Sequence, residues 1–298
     1  MEFFDALKNV TKNVKKGEVM KNHTSFRIGG EAEFLVIPES FAEIKEIIKT
    51  CKIYDVSYAV MGNGSNILVG DIGISGVLIK ISSGLSNVKI DGNKIYAEAG
   101  VLLSTLSNKA KSESLTGLEF ASGIPGTLGG AIYMNAGAYG GEIKDVVKNI
   151  GYLDVDGEIR EMSGEDAGFG YRKSVFVDRE KIILYAELEL QKGDIKKITE
   201  TMQDLNQRRK DKQPLNYPSA GSTFKRPEGY FAAKLIEDAG LKGYTVGGAK
   251  VSEKHAGFVV NFDNATSEDV KKLMADVKNV VYEKFGVELE PEVKFLGK

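Results

Sequence analysis

The sequence is short of the residues that build covalent and metal-bound frameworks. Its 298 residues include one cysteine, two histidines and no tryptophan. A single cysteine cannot form an internal disulfide or a thiolate cluster around a metal ion, so we expect neither a disulfide nor a metal site.

An excess of charge of one sign and long apolar runs are also missing. Lysine and arginine number 40 against 42 aspartates and glutamates, which gives a net charge of −2 and an isoelectric point near 5.9. This balance argues against a nucleic-acid partner, which requires a basic surface. No apolar stretch approaches the roughly 18 residues of a membrane span, and the first residues lack the basic and apolar regions of a signal peptide. We therefore expect a cytoplasmic protein without membrane insertion. A monomer is a separate expectation, because the sequence does not report the oligomeric state.

What the chain has instead is a mixture of predicted helices and strands. With 42% hydrophobic residues it is long enough for two or three domains. Asp-Gly pairs at residues 91–92 and 156–157 stand between short apolar runs and predict two hairpins. Residues 194–209 and 268–285 repeat apolar residues at helical spacing, and we expect Gly286 to end the second helix.

The segment after Pro38 predicts a helix that buries the cysteine. Ser40 and Glu43 have the spacing of a capping box at the helix start. Apolar residues then recur at helical spacing as far as Cys51. We interpret Cys51 as a core residue rather than a nucleophile, because buried cysteines pack as small hydrophobic residues.

The most informative segment is residues 117–141. It carries glycine at positions 123, 126, 129, 130, 137, 140 and 141, among others. So many glycines are typical of a segment whose backbone lies very close to a ligand or to another part of the chain. The amide groups of such a loop can bind a pyrophosphate. The alternative is an ordinary loop that is rich in turns.

A second glycine loop, Gly-Asn-Gly-Ser-Asn at residues 62–66, follows a predicted strand at residues 57–61. It lacks the third glycine of a dinucleotide-binding fingerprint, and residues 67–69 resemble further strand rather than the start of a helix. A Rossmann site is therefore not expected. Together with residues 117–141, this loop favours two backbone loops that close on one dinucleotide.

Several ordered blocks of the chain resemble the UDP-N-acetylenolpyruvoylglucosamine reductase family. They extend from about residue 20 to the C-terminus, and their order makes the resemblance specific. The blocks that resemble the flavin-binding part are residues 22–30, 62–66, 122–130 and 135–140. The blocks that resemble the family's catalytic segments are residues 169–174, 220–227 and 289–295.

The resemblance implies an α+β protein. Its FAD-binding fold would be of the two-subdomain PCMH/vanillyl-alcohol-oxidase type, with a C-terminal α+β substrate-binding domain. We expect residues 1–85 and 86–210 to form the two FAD-binding subdomains, and residues 211–298 the substrate-binding domain, because the prolines after residue 212 end the preceding helix. Residues 175–212 leave room for only a strand and a helix, so the chain resembles the shorter branch of the family.

The resemblance also implies the cofactors and the reaction. FAD would be held noncovalently, because neither histidine lies in a glycine loop and the cysteine is assigned to the core. NADPH would be the hydride donor. The family reduces the enolpyruvyl ether of UDP-N-acetylglucosamine to UDP-N-acetylmuramate, a step in the synthesis of peptidoglycan precursors, so the expected substrate is a nucleotide sugar.

Arg172, Ser222 and Glu292 match the family's catalytic residues. A permanently charged guanidinium at residue 172 suits the enolate-like charge that forms when hydride reaches the β-carbon. Ser222 matches the proton donor to the α-carbon, and Glu292 matches the carboxylate that assists. From residue chemistry alone, Arg172 could be a surface residue and Ser222 could cap a turn. Glu290 would share a strand face with Glu292, so the pattern does not choose between them.

The remaining site residues follow from the same resemblance. The two histidines, His23 and His255, are expected to be structural or peripheral to the substrate. The expected FAD contacts are Arg27, Gly62, Asn63, Gly64, Ser65, Asn66, Ser122, Gly123, Ile124, Gly126, Gly130 and Arg209. The expected substrate contacts are Tyr139, Tyr171, Lys212, Lys225 and Arg226.

Two other functions compete with the reductase. A related FAD oxidase acting on an alcohol or a sugar would react with oxygen and would not need NADPH. A flavin-binding or nucleotide-binding regulatory protein would have no use for a proton donor beside a carboxylate-binding cation. The reductase is therefore the favoured prediction.

Overall fold

The computed structural model of the chain describes residues 2–177 and 181–298. These residues form two compact units. The first comprises residues 2–15, 34–63, 76–177 and 181–209, and the second comprises Lys16–Glu33, Gly64–Ser75 and Lys210–Lys298. The division at residues 85 and 210 that we expect from the sequence remains a prediction.

Helices and strands are mixed along the whole chain, as predicted for an α+β protein. The helices are α1 (Phe3–Val10), α2 (Phe41–Ile53), α3 (Leu103–Ser112), α4 (Leu128–Tyr133), α5 (Ile195–Lys212), α6 (Ala232–Asp238) and α7 (Ser267–Phe285). The strands are β1 (Val14–Val19), β2 (Glu31–Val36), β3 (Tyr58–Met61), β4 (Ile67–Val69), β5 (Ile74–Lys80), β6 (Val88–Asp91), β7 (Lys94–Glu98), β8 (Leu115–Thr116), β9 (Gly137–Ala138), β10 (Gly141–Glu142), β11 (Val147–Leu153), β12 (Ile159–Ser163), β13 (Ile182–Glu189), β14 (Gln191–Lys192), β15 (Thr245–Val246), β16 (Ala249–Val251), β17 (Val259–Asn261) and β18 (Lys294–Leu296).

A five-stranded antiparallel sheet in the order β12-β11-β13-β7-β6 organises the first unit. Both predicted hairpins are confirmed, as β6–β7 and as β11–β12. In the first hairpin Asp91 pairs with Lys94, and Gly92 has a φ of +62° at the first turn position, where glycine is favoured. Helix α4 contacts β13 and joins the hydrophobic core of this unit.

A separate four-stranded sheet has the order β1-β2-β5-β3. Within it β3 runs parallel to β5, and Tyr58 pairs with Val77. Strand β3 ends at Met61, directly before the loop at residues 62–66, as the sequence predicts.

The second unit packs helices against a small antiparallel sheet in the order β15-β16-β17. Helix α7 contacts β15, β16 and α6, and β4 pairs in parallel with β18. The helix begins with a capping box between Thr266 and Asp269 and ends at Gly286, which has a φ of +65°, as predicted. Its buried face consists of Ser267, Val270, Leu273, Met274, Val277 and Val281.

The start of α2 differs in one bond from the predicted capping box. Ser40 Oγ accepts a hydrogen bond from the Glu43 backbone N–H at 3.1 Å. The Glu43 carboxylate, however, accepts from the Glu39 N–H at 2.9 Å, because it reaches one residue further back than Ser40. Cys51 is fully buried on the apolar face of the helix, as predicted. Helix α5 also differs from prediction by running on to Lys212.

No helix within residues 2–177 and 181–298 is both long enough and apolar enough to cross a membrane.

Burial raises the pKa of the Cys51 thiol to about 11. We expect iodoacetamide at pH 8 to leave the native protein unlabelled, since the thiolate is then roughly a hundredfold scarcer than for an ordinary cysteine. Mass spectrometry should show one added label after unfolding in guanidinium chloride, and none in a Cys51→Ser control. Native labelling as fast as in the unfolded chain would contradict the assignment to the core.

Candidate functional site

The two predicted glycine loops are in direct contact in the first unit. Asn63 Nδ2 donates a hydrogen bond to the Pro125 carbonyl oxygen at 2.6 Å. A Cβ on Gly62 would lie 2.4 Å from Thr127 Oγ1, so a side chain at this position would displace the Thr127 hydroxyl. The start of the loop at residues 62–66 therefore lies against residues 125–127 of the other glycine segment. Two loops that bind one dinucleotide have to lie this close together.

Much of the glycine content of residues 117–141 serves packing within the protein. A Cβ on Gly123 would lie 2.5 Å from Asn206 Oδ1, and one on Gly141 would lie 2.6 Å from the Phe120 ring. Gly130 is exposed, and its Cβ would meet nothing closer than a hydroxyl at 3.6 Å. Of these three glycines, Gly130 therefore leaves room beside its backbone for a ligand.

Helix α5 brings a cation to the loop at residues 122–126. The Arg209 guanidinium donates a hydrogen bond to the Gly123 carbonyl oxygen. One turn earlier on the same helix face, Asn206 Nδ2 donates to Ser122 Oγ at 3.3 Å. Asn206 was not among the predicted site residues, although its spacing of three residues from Arg209 places the two side chains on one helix face.

The other residues of this loop are held by the first unit itself. Ile124 is half-buried against the hydrophobic core. The Gly126 carbonyl oxygen accepts from the Leu103 N–H at 3.0 Å. The Ser122 hydroxyl, the Arg209 guanidinium and the open side of the backbone at Gly130 are groups of the kind that bind the pyrophosphate of a dinucleotide such as FAD. The backbone N–H groups of residues 124, 128 and 129 already donate to carbonyl oxygens of the first unit.

Arg172 occupies the tip of a tight turn in the first unit. Gly170 and Lys173 exchange backbone hydrogen bonds of 3.0 and 3.3 Å across the turn. Arg172 has a φ of +53°, a conformation that costs a non-glycine residue about 1–3 kcal/mol and is concentrated at functional sites. Its Cζ lies 5.1 Å from the centre of the Tyr171 ring.

Tyr139 sits at the tip of the neighbouring β9–β10 hairpin. Ala138 pairs with Gly141, and both turn residues, Tyr139 and Gly140, have positive φ values of 53° and 92°. Arg172 Nη2 donates to the carbonyl oxygen of Gly137, which lies in this hairpin, at 3.2 Å. The structure thus places the predicted catalytic residue Arg172 and the two predicted substrate residues Tyr139 and Tyr171 on neighbouring turns.

In the second unit, the loop at residues 64–66 lies against the C-terminal segment. Asn66 Nδ2 donates to the Glu292 carbonyl oxygen at 3.1 Å, and the Asn66 carbonyl oxygen accepts from the Lys294 N–H at 3.0 Å. The Gly64 carbonyl oxygen accepts from the Ser25 N–H at 3.1 Å. Two predicted cofactor residues therefore lie in one network with a predicted catalytic segment.

Ser65 and Arg27 flank this network. Ser65 is half-buried, whereas Arg27 is exposed with a φ of +53°. The carbonyl oxygen of Arg27 accepts a hydrogen bond from Asn261 Nδ2 at 3.3 Å, which holds its backbone in place.

Thr223 fixes the backbone beside Ser222 and Glu292. Its N–H donates to the Gly257 carbonyl oxygen, and its own carbonyl oxygen accepts from the Glu292 N–H, both at 2.8 Å. Thr223 Oγ1 accepts from the Val259 N–H at 2.9 Å. Ser222 is exposed, while Glu292 is only 8% exposed. Nothing local in the sequence signals Thr223, since each of its partners is remote in the chain.

The structure separates the two glutamates that sequence pattern could not distinguish. Glu290 is exposed and forms an ion pair with Lys225. Glu292 is buried next to the backbone pair between Phe224 and Pro291. The Lys225 ammonium is therefore already paired with a carboxylate of the protein itself.

Two further predicted substrate residues lie at exposed positions of the second unit. The Arg226 Cζ lies 3.9 Å from the centre of the Phe231 ring, and its Nε donates to the Tyr230 carbonyl oxygen at 3.4 Å. Lys212 is the exposed last residue of α5.

Both histidines have partners within the second unit. His255 Nδ1 accepts from the Gly257 N–H at 3.1 Å, and burial lowers the pKa of His255. His23 Nε2 lies 2.8 Å from a carboxylate oxygen of Glu18. In the described part of the chain, no group of three or more His, Cys, Asp or Glu side chains could hold a metal ion.

The predicted residues are shared between the two units. Arg172 belongs to the first unit, together with residues 62–63, residues 122–130 and Arg209. Ser222 and Glu292 belong to the second, which also holds Arg27, Gly64, Ser65, Asn66, Lys212, Lys225 and Arg226.

Comparison with known proteins gives matches over nearly the whole chain. Residues 32–163 match the FAD binding domain, and residues 213–296 match the UDP-N-acetylenolpyruvoylglucosamine reductase C-terminal domain. The UDP-N-acetylenolpyruvoylglucosamine reductase of Caldanaerobacter subterraneus subsp. tengcongensis is 54% identical over 295 residues, which cover 98% of this chain and 97% of the relative. That of Clostridioides difficile is 52% identical over 285 residues, covering 96% and 94%.

Solved structures agree with these matches. The crystal structure of the reductase from Thermus caldophilus superposes with a TM-score of 0.81 at 33% identity, over 95% of this chain and 98% of that chain. A variant of Phl p 4, a glucose oxidase, shares the fold alone, with a TM-score of 0.51 at 13% identity over 65% of this chain and 45% of that chain. The predicted FAD-binding fold with an added C-terminal domain is therefore confirmed, and the chain belongs to the UDP-N-acetylenolpyruvoylglucosamine reductase family of FAD-containing oxidoreductases.

Proposed function

We propose that the protein uses NADPH to reduce UDP-N-acetylglucosamine enolpyruvate to UDP-N-acetylmuramate, a step in peptidoglycan precursor synthesis. The observation that carries this proposal is the 54% identity, over 98% of the chain, to a protein named as that reductase. The presence of Arg172, Ser222 and Glu292 in the expected blocks supports it.

FAD is the cofactor, and it supplies the hydride chemistry between NADPH and the β-carbon of the enolpyruvyl double bond. In the first unit, Arg209, Ser122 and the backbone at Gly130 are proposed to hold its pyrophosphate. The remaining predicted FAD contacts, including Arg27 and residues 64–66, are proposed to complete the binding.

Arg172 is proposed to stabilise the charge that develops on the substrate. Addition of hydride to the β-carbon places negative charge on the α-carbon and its carboxylate. A guanidinium remains charged at every working pH and can donate two parallel hydrogen bonds to carboxylate oxygens. A turn that holds residue 172 in a strained conformation limits reorganisation during the reaction.

Ser222 is proposed to give the α-carbon its proton, with Glu292 assisting. A serine hydroxyl is a weak acid in water, so its position relative to the substrate decides whether it can act. The hydrogen bonds at Thr223 support such a fixed position for the backbone on both sides. Lys212, Lys225, Arg226, Tyr139 and Tyr171 are proposed substrate contacts, although Glu290 already offsets the charge of Lys225.

The reaction can be tested by its electron acceptor. Without oxygen, the purified protein should oxidise NADPH only when UDP-N-acetylglucosamine enolpyruvate is present, and mass spectrometry should show a product heavier by two hydrogens. UDP-N-acetylglucosamine, which lacks the double bond, is the control. Rapid consumption of oxygen with an alcohol or sugar donor, and no reduction of the enolpyruvyl substrate, would favour the oxidase instead.

Replacing Ser222 by alanine tests the proton donor. We expect NADPH to bleach the flavin absorbance of Ser222→Ala at the wild-type rate, because the hydroxyl has no part in that half-reaction. Recovery of the absorbance on adding the enolpyruvyl substrate should slow by at least about a hundredfold, within the range for loss of an acid catalyst. Stopped-flow absorbance measures both steps. Ser112→Ala, which removes an exposed hydroxyl at the end of α3, is the control. Equal slowing of both steps would contradict the role.

Replacing Arg209 by alanine tests the proposed pyrophosphate contact. Loss of a charge-assisted hydrogen bond should weaken FAD binding by roughly tenfold or more. Titration of apoprotein with FAD, followed by flavin fluorescence, measures the affinity. Arg208→Ala is a matched control, because Arg208 pairs with Asp204 at 2.8 Å on the exposed surface of the same helix. Equal FAD affinities for the two variants would remove Arg209 from the site.

The expected monomer and its cytoplasmic location remain predictions. Light scattering should give a mass near 32.4 kDa for a monomer, and twice that mass would contradict the expectation.

A further inference from the structure

Asn135 is a fully buried polar residue for which the proposed reaction has no direct use. Its Nδ2 donates to Glu142 Oε2 at 3.1 Å and to the Gly170 carbonyl oxygen at 3.0 Å. Its Oδ1 accepts from the Lys144 N–H at 3.1 Å. Both amide hydrogens and the amide oxygen are therefore engaged. Asn135 also has a φ of +45°, a conformation that asparagine tolerates better than most residues.

These bonds tie together the two turns that carry the predicted substrate residues. Gly170 begins the turn whose tip is Arg172, and Glu142 ends the hairpin whose tip is Tyr139. A further bond between the turns runs from Arg172 Nη2 to the Gly137 carbonyl oxygen. A strained residue keeps its conformation only where its surroundings hold it, and for residue 172 one such constraint comes from Asn135.

Charge around this amide is arranged to keep Glu142 ionised. A hydrogen bond from the Lys144 ammonium at 2.6 Å is the main cause that lowers the pKa of Glu142, and Asn135 and the Arg172 charge lower it further. The amide therefore lies between a carboxylate and a carbonyl oxygen. Only a group with two donors can satisfy both, which excludes aspartate at this position.

We propose that Asn135 is a positioning residue for Arg172, holding the turn at residues 170–173 against the β9–β10 hairpin so that the guanidinium meets the substrate in one fixed orientation. This role rests on the proposed function, because it gives Arg172 its substrate. Asn135 itself touches neither substrate nor FAD in this proposal.

The test is a double-mutant cycle with Asn135→Asp and Arg172→Ala. Asn135→Asp keeps the size and the acceptor for Lys144, but it replaces both donors with an oxygen that repels its two partners. We expect flavin reoxidation by the enolpyruvyl substrate to slow by about a hundredfold, the size of effect that a small misplacement of a catalytic group produces. Bleaching by NADPH should be unchanged. In the Arg172→Ala background, the same change should have less than about a threefold effect.

Hydrogen–deuterium exchange supplies a second readout that does not depend on turnover. In Asn135→Asp, exchange across residues 170–173 should speed up by about tenfold or more, because the turn loses an anchor. Asn149→Asp is the control, since Asn149 donates a comparable bond to Glu187 at 2.8 Å on a sheet strand. Asn149→Asp should leave both readouts unchanged.

Several results would overturn the proposal. These are a full additional loss in the Arg172→Ala background, equal slowing of both half-reactions, or unchanged exchange in the turn. If Asn135→Asp does not fold, Glu142→Ala removes one of the two acceptors and should slow the same half-reaction to a smaller degree, and an unchanged rate would count against the role. Should the wild-type flavin not be reoxidised by the substrate at all, the proposed function fails, while the exchange data still decide whether Asn135 anchors the turn.

Discussion

Direct contact between backbone segments, which only glycine permits, sets the geometry of both units. In the second unit, a Cβ on Gly70 would lie 2.0 Å from the Lys298 carbonyl oxygen, and one on Gly73 would lie 2.0 Å from the Glu31 carbonyl oxygen. In the first unit, a Cβ on Gly100 would lie 2.0 Å from the Ser82 carbonyl oxygen. Such contacts bring loops close enough for direct hydrogen bonds, so the proposed site residues stand on a backbone that is already fixed.

Two buried polar residues use that backbone to place the proposed catalytic groups. Thr223 engages its N–H, carbonyl oxygen and hydroxyl, and thereby holds the segments of Ser222 and Glu292. Asn135 does the equivalent for the turn of Arg172. In each case, a buried residue whose hydrogen-bonding groups are all satisfied holds the segment of a proposed catalytic residue. This arrangement is expected of a preorganised site.

Sequence patterns predicted the features that depend on local chemistry. The end of α7 at Gly286, the hairpins at the Asp-Gly pairs and the burial of Cys51 all follow from a few adjacent residues, and all are confirmed. The resemblance to the reductase family, which rests on ordered blocks, predicted the fold class and the flavin cofactor.

Features that depend on remote partners could not be read from the sequence. The different burial of Glu290 and Glu292 depends on Lys225 and on a backbone pair made far along the chain. The glycines of residues 117–141 suggested a ligand, yet the side chain of Asn206 on α5 occupies the space beside Gly123. A sequence shows that a side chain is missing at such a position, but only the fold shows what fills its place.

The most direct test of the account is an anaerobic titration of the purified protein, followed at the flavin absorbance band. NADPH should bleach the band, and one equivalent of UDP-N-acetylglucosamine enolpyruvate should restore it. Bleaching without recovery would contradict the assigned substrate while leaving the flavoprotein intact. A colourless protein that does not bind added FAD would contradict the whole account.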